Sequence, residues 1–195
     1  MPQSRRLVHG STSRYRRELL ERLSLAFEVA SPRFDETPLA GEGTSATALR
    51  LAIGKAQSLA SSFTDALIIG ADQVASSEGM RMDKPGTHEN AVRQLRALSG
   101  KAAQFDTAVA LLDTRSGRID SRVVPCRVQF RPLDEPTIQT YLQREKPYDC
   151  AASAKAEGLG IALIERIETD DPTSLIGLPL IALTAMLARA RLPVL

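Results

Sequence analysis

Tryptophan is absent, and five phenylalanines and three tyrosines are all the aromatic side chains in 195 residues. Aliphatic side chains must therefore build the core. Histidine occurs twice, at His9 and His88, without HExxH spacing, which excludes a His-rich metal centre. The two cysteines, Cys126 and Cys150, lie far apart and form no CxxC pair. They read as small core residues in a reduced chain, and the expected location is cytoplasmic. No stretch approaches the ~18 consecutive apolar residues of a membrane span, and residues 1–6 place no apolar run behind their charges. A net charge of +2 is too small to indicate a nucleic-acid binder, so no stable nucleic-acid partner and no membrane partner are expected. Internal repeats and low-complexity segments are also missing.

What is present is ordinary globular composition, 43% hydrophobic and 25% charged. The length suffices for one sizeable core, and no linker divides it, so a single domain over 1–195 is expected. The patterning predicts a strand at 7–10, a helix after Ser11-Thr12-Ser13 through Leu19, Leu20, Leu23 and Phe27, and a strand at 27–30. A Pro- and Gly-bearing loop follows at 31–43, then a helix over 44–62. Residues 66–75 form a compact apolar run broken by Asp72 and Gln73, which predicts a buried strand with polar residues at its end. Further helices are expected at 87–98, 135–143 and 180–190, the last with Pro179 in its first turn. Strands are expected at 105–112 and 122–130, while 153–163 is ambiguous. Strands mixed with helices along the whole length give an α/β fold with a central mixed sheet.

Three segments carry chemistry. Ser11-Thr12-Ser13-Arg14-Tyr15-Arg16-Arg17 joins a strand, a hydroxyl-rich turn and a helix start, an arrangement that attracts phosphate. Taken alone it reads better as a solvated surface helix, although Arg5, Arg6 and Arg22 add to a local concentration of positive charge. Glu36, Lys55, Asp72 and Lys84 form an acidic and basic set: carboxylates suit Mg²⁺ or Mn²⁺, and lysines suit phosphate oxygens. Asp72 stands out because a carboxylate embedded in an apolar run needs a partner. The glycines of Lys155-Ala156-Glu157-Gly158-Leu159-Gly160 permit close backbone approach, but spacing alone favours a plain turn.

Taken together and in order, these pieces resemble the Maf-like nucleotide pyrophosphatase family. The matching segments are Ser11-Thr12-Ser13 with Arg16-Arg17, Asp35-Glu36-Thr37-Pro38, Arg50-Leu51-Ala52 with Lys55-Ala56, and Gly70-Ala71-Asp72-Gln73-Val74. Lys84-Pro85, Leu98-Ser99-Gly100 with Thr107, Glu157-Gly158 with Gly160, and Ile176-Gly177-Leu178-Pro179-Leu180 complete the set. The resemblance implies a two-lobed Maf/ITPase-like fold with a nucleotide-binding cleft. It implies hydrolysis of a nucleoside triphosphate to monophosphate and pyrophosphate with a divalent cation, Mg²⁺ or Mn²⁺.

Carried onto this chain, the resemblance makes Asp72 the catalytic base and Ser11, Arg16, Arg17, Lys55 and Lys84 the substrate-binding set. Glu36 and Asp72 become the metal ligands. Tyr15, Gln73 and Glu157 occupy the positions that sort substrates and are similar to the branch acting on 7-methyl-GTP. Chemistry agrees: the methylated base is a cation that favours an aromatic face, and a carboxylate accepts from the guanine N–H edge. The alternatives are a dTTP/UTP pyrophosphatase of the same family and a non-catalytic nucleotide- or RNA-binding regulator. A homodimer is left open. The chain departs from the family pattern at His9-Gly10, usually an apolar residue and alanine, and at 151–156, which lacks a usual glycine and bulkier residue.

Overall fold

The computed structural model describes residues 5–195; residues 1–4, part of the opening stretch without an apolar run, lie outside the described residues. Seven strands form one mixed sheet: β1 (Arg6–Gly10), β2 (Glu28–Ala30), β3 (Ala66–Ser77), β4 (Met80–Arg81), β5 (Ala102–Asp113), β6 (Ile119–Phe130) and β7 (Ile164–Thr169). The order is β2-β1-β3-β5-β6-β7, with β4 paired to β3. Strand β1 runs parallel to both β2 and β3, whereas β4 and β7 pair antiparallel with β3 and β6. The helices are α1 (Arg14–Glu21), α2 (Thr44–Gln57), α3 (His88–Leu98), α4 (Glu135–Glu145) and α5 (Leu180–Arg189). Internal contacts divide the chain into two compact units. The first runs up to Gln73 and includes Thr107–Val124 and Asp171–Leu195; the second comprises Val74–Asp106 and Pro125–Asp170.

In the first unit the apolar run of β3 is buried on both faces. Leu67, Ile69 and Ala71 join one cluster with Leu7, Leu19, Leu20, Leu183 and Leu187. Ala66 and Ile68 join another with Val8, Ala56 and Leu59. Alternation with period two explains why a continuous hydrophobic run is needed. Two glycines shape the second face. Gly10 and Gly70 are register partners on β1 and β3, and a Cβ at Gly70 would lie 2.1 Å from the Ala52 carbonyl oxygen of α2. The missing side chain lets α2 come down onto the strand backbone. Helix α5 receives its N-terminal hydrogen bonds from outside itself: Asp171 accepts from the N–H groups of Ile181 and Ala182, and Thr173 accepts from Leu180.

In the second unit α3 buries Ala91, Val92, Leu95 and Leu98 at helical spacing, capped by Thr87, whose hydroxyl accepts from the Asn90 N–H. Helix α4 is capped by Asp134 and ends at Lys146 in the left-handed region. It contacts α3. The His88 ring bonds to the Tyr148 hydroxyl and the Gln139 amide oxygen.

The α/β class and mixed sheet agree with the sequence reading, and so do most elements. Several details differ, among them the end of α2 at Gln57 with a separate 3-10 turn at Ala60–Ser62, and the short strand β4. Helix α1 stops at Glu21, so Leu23 and Phe27 pack on the core from the connecting segment. Strand β3 continues to Ser77, so Asp72 lies mid-strand and not at its end. Pro179 is the N-cap residue of α5, one position before its first turn. Strand β7 escaped notice because its inner residues are exposed and carry charge without an apolar face. Cys126 is fully buried, and burial pushes its thiol up to about 11; Cys150 is only half-buried, and both are free thiols. Among the described residues no helix is long and apolar enough to cross a membrane.

Candidate active site

The first unit gathers four of the expected residues into one cluster of ion pairs. Ala52 and Lys55 lie one turn apart on α2, and Gly70 and Asp72 lie two residues apart on β3, hence on the same faces. Pressing Ala52 against Gly70 therefore sets Lys55 against Asp72. The Lys55 Nζ donates to Asp72 Oδ1 at 2.6 Å and to Glu36 Oε2 at 2.9 Å. The side chains of Lys55 and Asp72 are 8% and 11% exposed, whereas Glu36 is 57% exposed at the open side. A buried cation and carboxylate in this contact satisfy each other's charge, which answers the requirement that Asp72 have a partner.

Arg16 completes the group. Its Nε donates to the Gly177 carbonyl at 2.9 Å and its Nη2 stands 3.9 Å from Asp72 Oδ1. Burial lowers the basicity of this guanidinium, opposed by the charges of Asp72 and Glu36. Arg17, the next helical residue, points elsewhere: it is 60% exposed and donates to Glu21 one turn along. Successive residues on a helix diverge by ~100°, so the pair cannot serve one point.

The remaining arginines of the N-terminal concentration are dispersed in the same way. Arg5 pairs with Asp113, Arg6 with Glu28, and Arg14 lies 4.7 Å over the Tyr15 ring. The positive charge at 5–22 is thus not one anion site. Ser11 is buried and its Oγ accepts from the Ser13 N–H.

Gln73, beside Asp72 in sequence, faces the other side of β3. Its amide nitrogen donates to the carbonyls of Ser174 and Leu175 and to the Thr107 hydroxyl. Two carbonyls at the nitrogen fix the orientation of the amide. His9 is fully buried with no hydrogen-bond partner on either ring nitrogen. It meets the Phe27 ring edge-on, and burial together with the nearby Arg16 charge depresses its pKa to about 4.

The second unit holds the other two expected residues. Lys84 lies exposed in the loop before α3, and Glu157 lies exposed in the turn after the 3-10 segment Ala151–Ser153.

A family model described as Maf-like protein matches residues 6–190, nearly the whole described chain. The chain belongs to the Maf-like family. It is 57% identical over 188 residues to the 7-methyl-GTP pyrophosphatase of Cupriavidus pinatubonensis, covering 96% of this chain and 94% of that protein. It is 57% identical over 189 residues to the protein of that name from Thiobacillus denitrificans, covering 97% and 94%. Against its namesake from Paraburkholderia xenovorans it is 53% identical over 193 residues, covering 97% and 94%. Among solved structures, the Staphylococcus aureus Ham1 protein superposes with a TM-score of 0.45 at 15% identity, over 64% of this chain and 71% of that one.

Several supporting residues of this Maf-like chain have no signal in sequence periodicity. The Phe34 ring fills the space above Gly54, where a Cβ would meet ring atoms at 2.2 to 2.5 Å. Arg50 forks onto the Glu42 carboxylate and also donates to the Thr37 carbonyl. These contacts tie loop 31–43 to α2 on both sides of Glu36. The pairing of a loop aromatic with a helical glycine exists only in three dimensions, although a glycine inside a helix was a hint that something approaches closely.

Proposed function

We propose that this chain hydrolyses 7-methyl-GTP to 7-methyl-GMP and pyrophosphate, removing a modified nucleotide. The observation that carries the reading is the linked cluster in which Lys55 meets Asp72 and Glu36, and Arg16 stands beside Asp72. Two cations beside two carboxylates match a reaction in which an anionic leaving group and an attacking water must be handled together. Relatives sharing more than half of their residues over nearly the full length bear the name 7-methyl-GTP pyrophosphatase.

In this reading Asp72 accepts a proton from the water that attacks the α-phosphorus, and the α–β phosphoanhydride bond breaks as pyrophosphate leaves. Lys55 and Arg16 place positive charge against the oxygens that gain negative charge in the transition state. Because they are held by fixed partners, that charge is preorganised. Ser11 of the first unit and Lys84 of the second are assigned to phosphate binding; Arg17, turned to Glu21, is not.

Glu36 and Asp72 are hard oxygen donors of the kind Mg²⁺ and Mn²⁺ prefer. Among the described residues no group of three or more His, Cys, Asp or Glu side chains could hold a metal ion unaided. A cation held by these two carboxylates would take the rest of its shell from phosphate and water oxygens. Such a cation, bound by Glu36 and Asp72, would neutralise phosphate charge and acidify water.

For the base, Tyr15 offers a ring face, the Gln73 amide oxygen an acceptor, and Glu157 a carboxylate for the guanine N–H edge. Chromatography of the products from a panel of 7-methyl-GTP, GTP, dTTP and UTP tests the reading. Pyrophosphate and a monophosphate, made fastest from 7-methyl-GTP and only with a divalent cation, are expected. A diphosphate with orthophosphate would refute the mechanism, and a preference for dTTP or UTP would move the chain to a sister specificity.

A further inference from the structure

Glu157 sits in a turn between two short 3-10 segments, Ala151–Ser153 and Leu159–Leu163, with Gly158 and Gly160 close behind it. A turn of this composition has no hydrogen-bond ladder of its own and would sample many conformations unless held. Helix α4 holds it with two side chains one turn apart. The Tyr141 hydroxyl donates to the Ser153 carbonyl at 3.0 Å and accepts from the Lys155 N–H at 3.1 Å. Glu145 accepts from the Lys155 ammonium through Oε1 at 2.5 Å and from the Leu159 N–H through Oε2 at 2.7 Å.

Both Glu145 oxygens are thus used, one on the residue two before Glu157 and one on the residue two after. The turn closes on itself as well: the N–H groups of Gly158 and Gly160 both donate to the Lys155 carbonyl at 3.0 Å. The glycines follow from this closeness. A Cβ at Gly158 would come within 2.6 Å of the Glu145 carboxylate, and one at Gly160 within 2.5 Å of the Lys155 carbonyl oxygen. The Glu145 side chain is only 9% exposed. A carboxylate so enclosed, bonded to a cation and an N–H, is a strong clamp, and removing its charge strands the lysine.

We propose that Glu145 is a positioning residue for base selection: it fixes the backbone on both sides of Glu157 so that the Glu157 carboxylate meets the base edge in one geometry. This rests on the 7-methyl-GTP reading, in which Glu157 accepts from the base. Glu145 touches no substrate; it acts through the turn, as supporting residues do for a recognition group.

The test is kcat/KM for 7-methyl-GTP and UTP on wild type, Glu145→Gln, Glu157→Gln and the double variant, with thermal midpoints for each. Glu145→Gln keeps the size and an acceptor for Leu159 but sets no charge against Lys155. The expected result is that the 7-methyl-GTP to UTP ratio falls roughly fivefold or more, mainly through KM for 7-methyl-GTP, while its kcat stays within about twofold. The double variant should show the ratio of Glu157→Gln alone. Should Glu145→Gln fail to fold, Lys155→Met removes the same ion pair from its more exposed side and is expected to lower the ratio likewise. A wild-type ratio in a folded Glu145→Gln or Lys155→Met protein, or a double variant whose loss is the product of the single losses, overturns the inference and leaves the 7-methyl-GTP reading standing. A wild type without preference for 7-methyl-GTP overturns both. A wild type with that preference whose Glu157→Gln variant keeps it overturns this inference alone.

Discussion

Lys55 stands 2.6 Å from Asp72 because Ala52, one turn earlier on α2, rests on Gly70, two residues earlier on β3. The contact that readies the carboxylate is thereby set by backbone packing several ångströms away, and each end of that relationship can be altered separately.

Altering the carboxylate tests the chemistry. Asp72→Asn preserves size and hydrogen bonding but removes charge and basicity. Turnover should fall roughly a hundredfold or more, the scale of losing a general base. Circular dichroism should show a folded protein, because Lys55 retains Glu36 as a partner. Near-normal turnover in the folded variant would reject Asp72 as the base.

Altering the seat tests the packing. A Cβ at Gly70 meets backbone oxygen at 2.1 Å and the Ala56 nitrogen at 2.9 Å, neither of which a rotamer change can relieve. Gly70→Ala should cost roughly 3 kcal/mol of stability, at the upper end of overpacking penalties, and lower activity as Lys55 shifts with α2. Chemical denaturation measures the first effect and pyrophosphate release the second. An unchanged denaturation midpoint would show that α2 is not seated on this glycine.

The buried histidine predicts a pH dependence of stability. The His9 pKa is depressed from an ordinary 6.5 to about 4 by burial and by Arg16. The unfolded chain therefore takes up a proton that the folded chain refuses. The neutral His9 contribution is complete above the unfolded pKa, near 6.5, and is lost as pH falls towards about 4. Over that window roughly 3 kcal/mol of stability should disappear. His9→Leu, which also removes two unpartnered ring nitrogens, should flatten this part of the curve of thermal midpoint against pH. A wild-type curve that stays level between pH 6.5 and 4 would contradict the assignment.

Substrate choice is tested at Glu157 and Tyr15. Glu157→Gln replaces one acceptor by a donor, a mismatch typically costing about 1–3 kcal/mol when buried against a ligand. Selectivity for 7-methyl-GTP over dTTP or UTP should shrink by roughly tenfold. Tyr15→Ala should reduce it through lost stacking. Both variants should still release pyrophosphate, since Lys55, Asp72 and Arg16 are unaltered. Ratios of kcat/KM that do not change would show that neither side chain reads the base.

Much of the fold was legible in the sequence because its strongest elements carry apolar runs or helical patterns over many residues: β3 through the apolar run that leads to Asp72, α3 through Ala91, Val92, Leu95 and Leu98. Glu36, Lys55 and Asp72 were legible as a set together with Lys84, and Arg16 through the ordered resemblance; the contacts join Lys55 to Asp72 and Glu36 and bring Arg16 to Asp72. The separation of Arg16 from Arg17 was less visible, since it depends on which helical face meets Gly177. The supports were hidden for a related reason. Phe34 and Glu145 act through partners 20 and 14 residues distant, and no local pattern encodes such pairs.

The fit of Phe34 over Gly54 has a consequence for inheritance. The two positions share one volume, and a methyl group added to the helix must be subtracted from the loop. Either substitution alone would loosen the strand of backbone that carries Glu36 to Lys55. Both together, a smaller residue at 34 with alanine at 54, would restore the occupancy. Sequence change at this place is therefore expected to come in pairs, the loop residue altering in step with the helix it leans on.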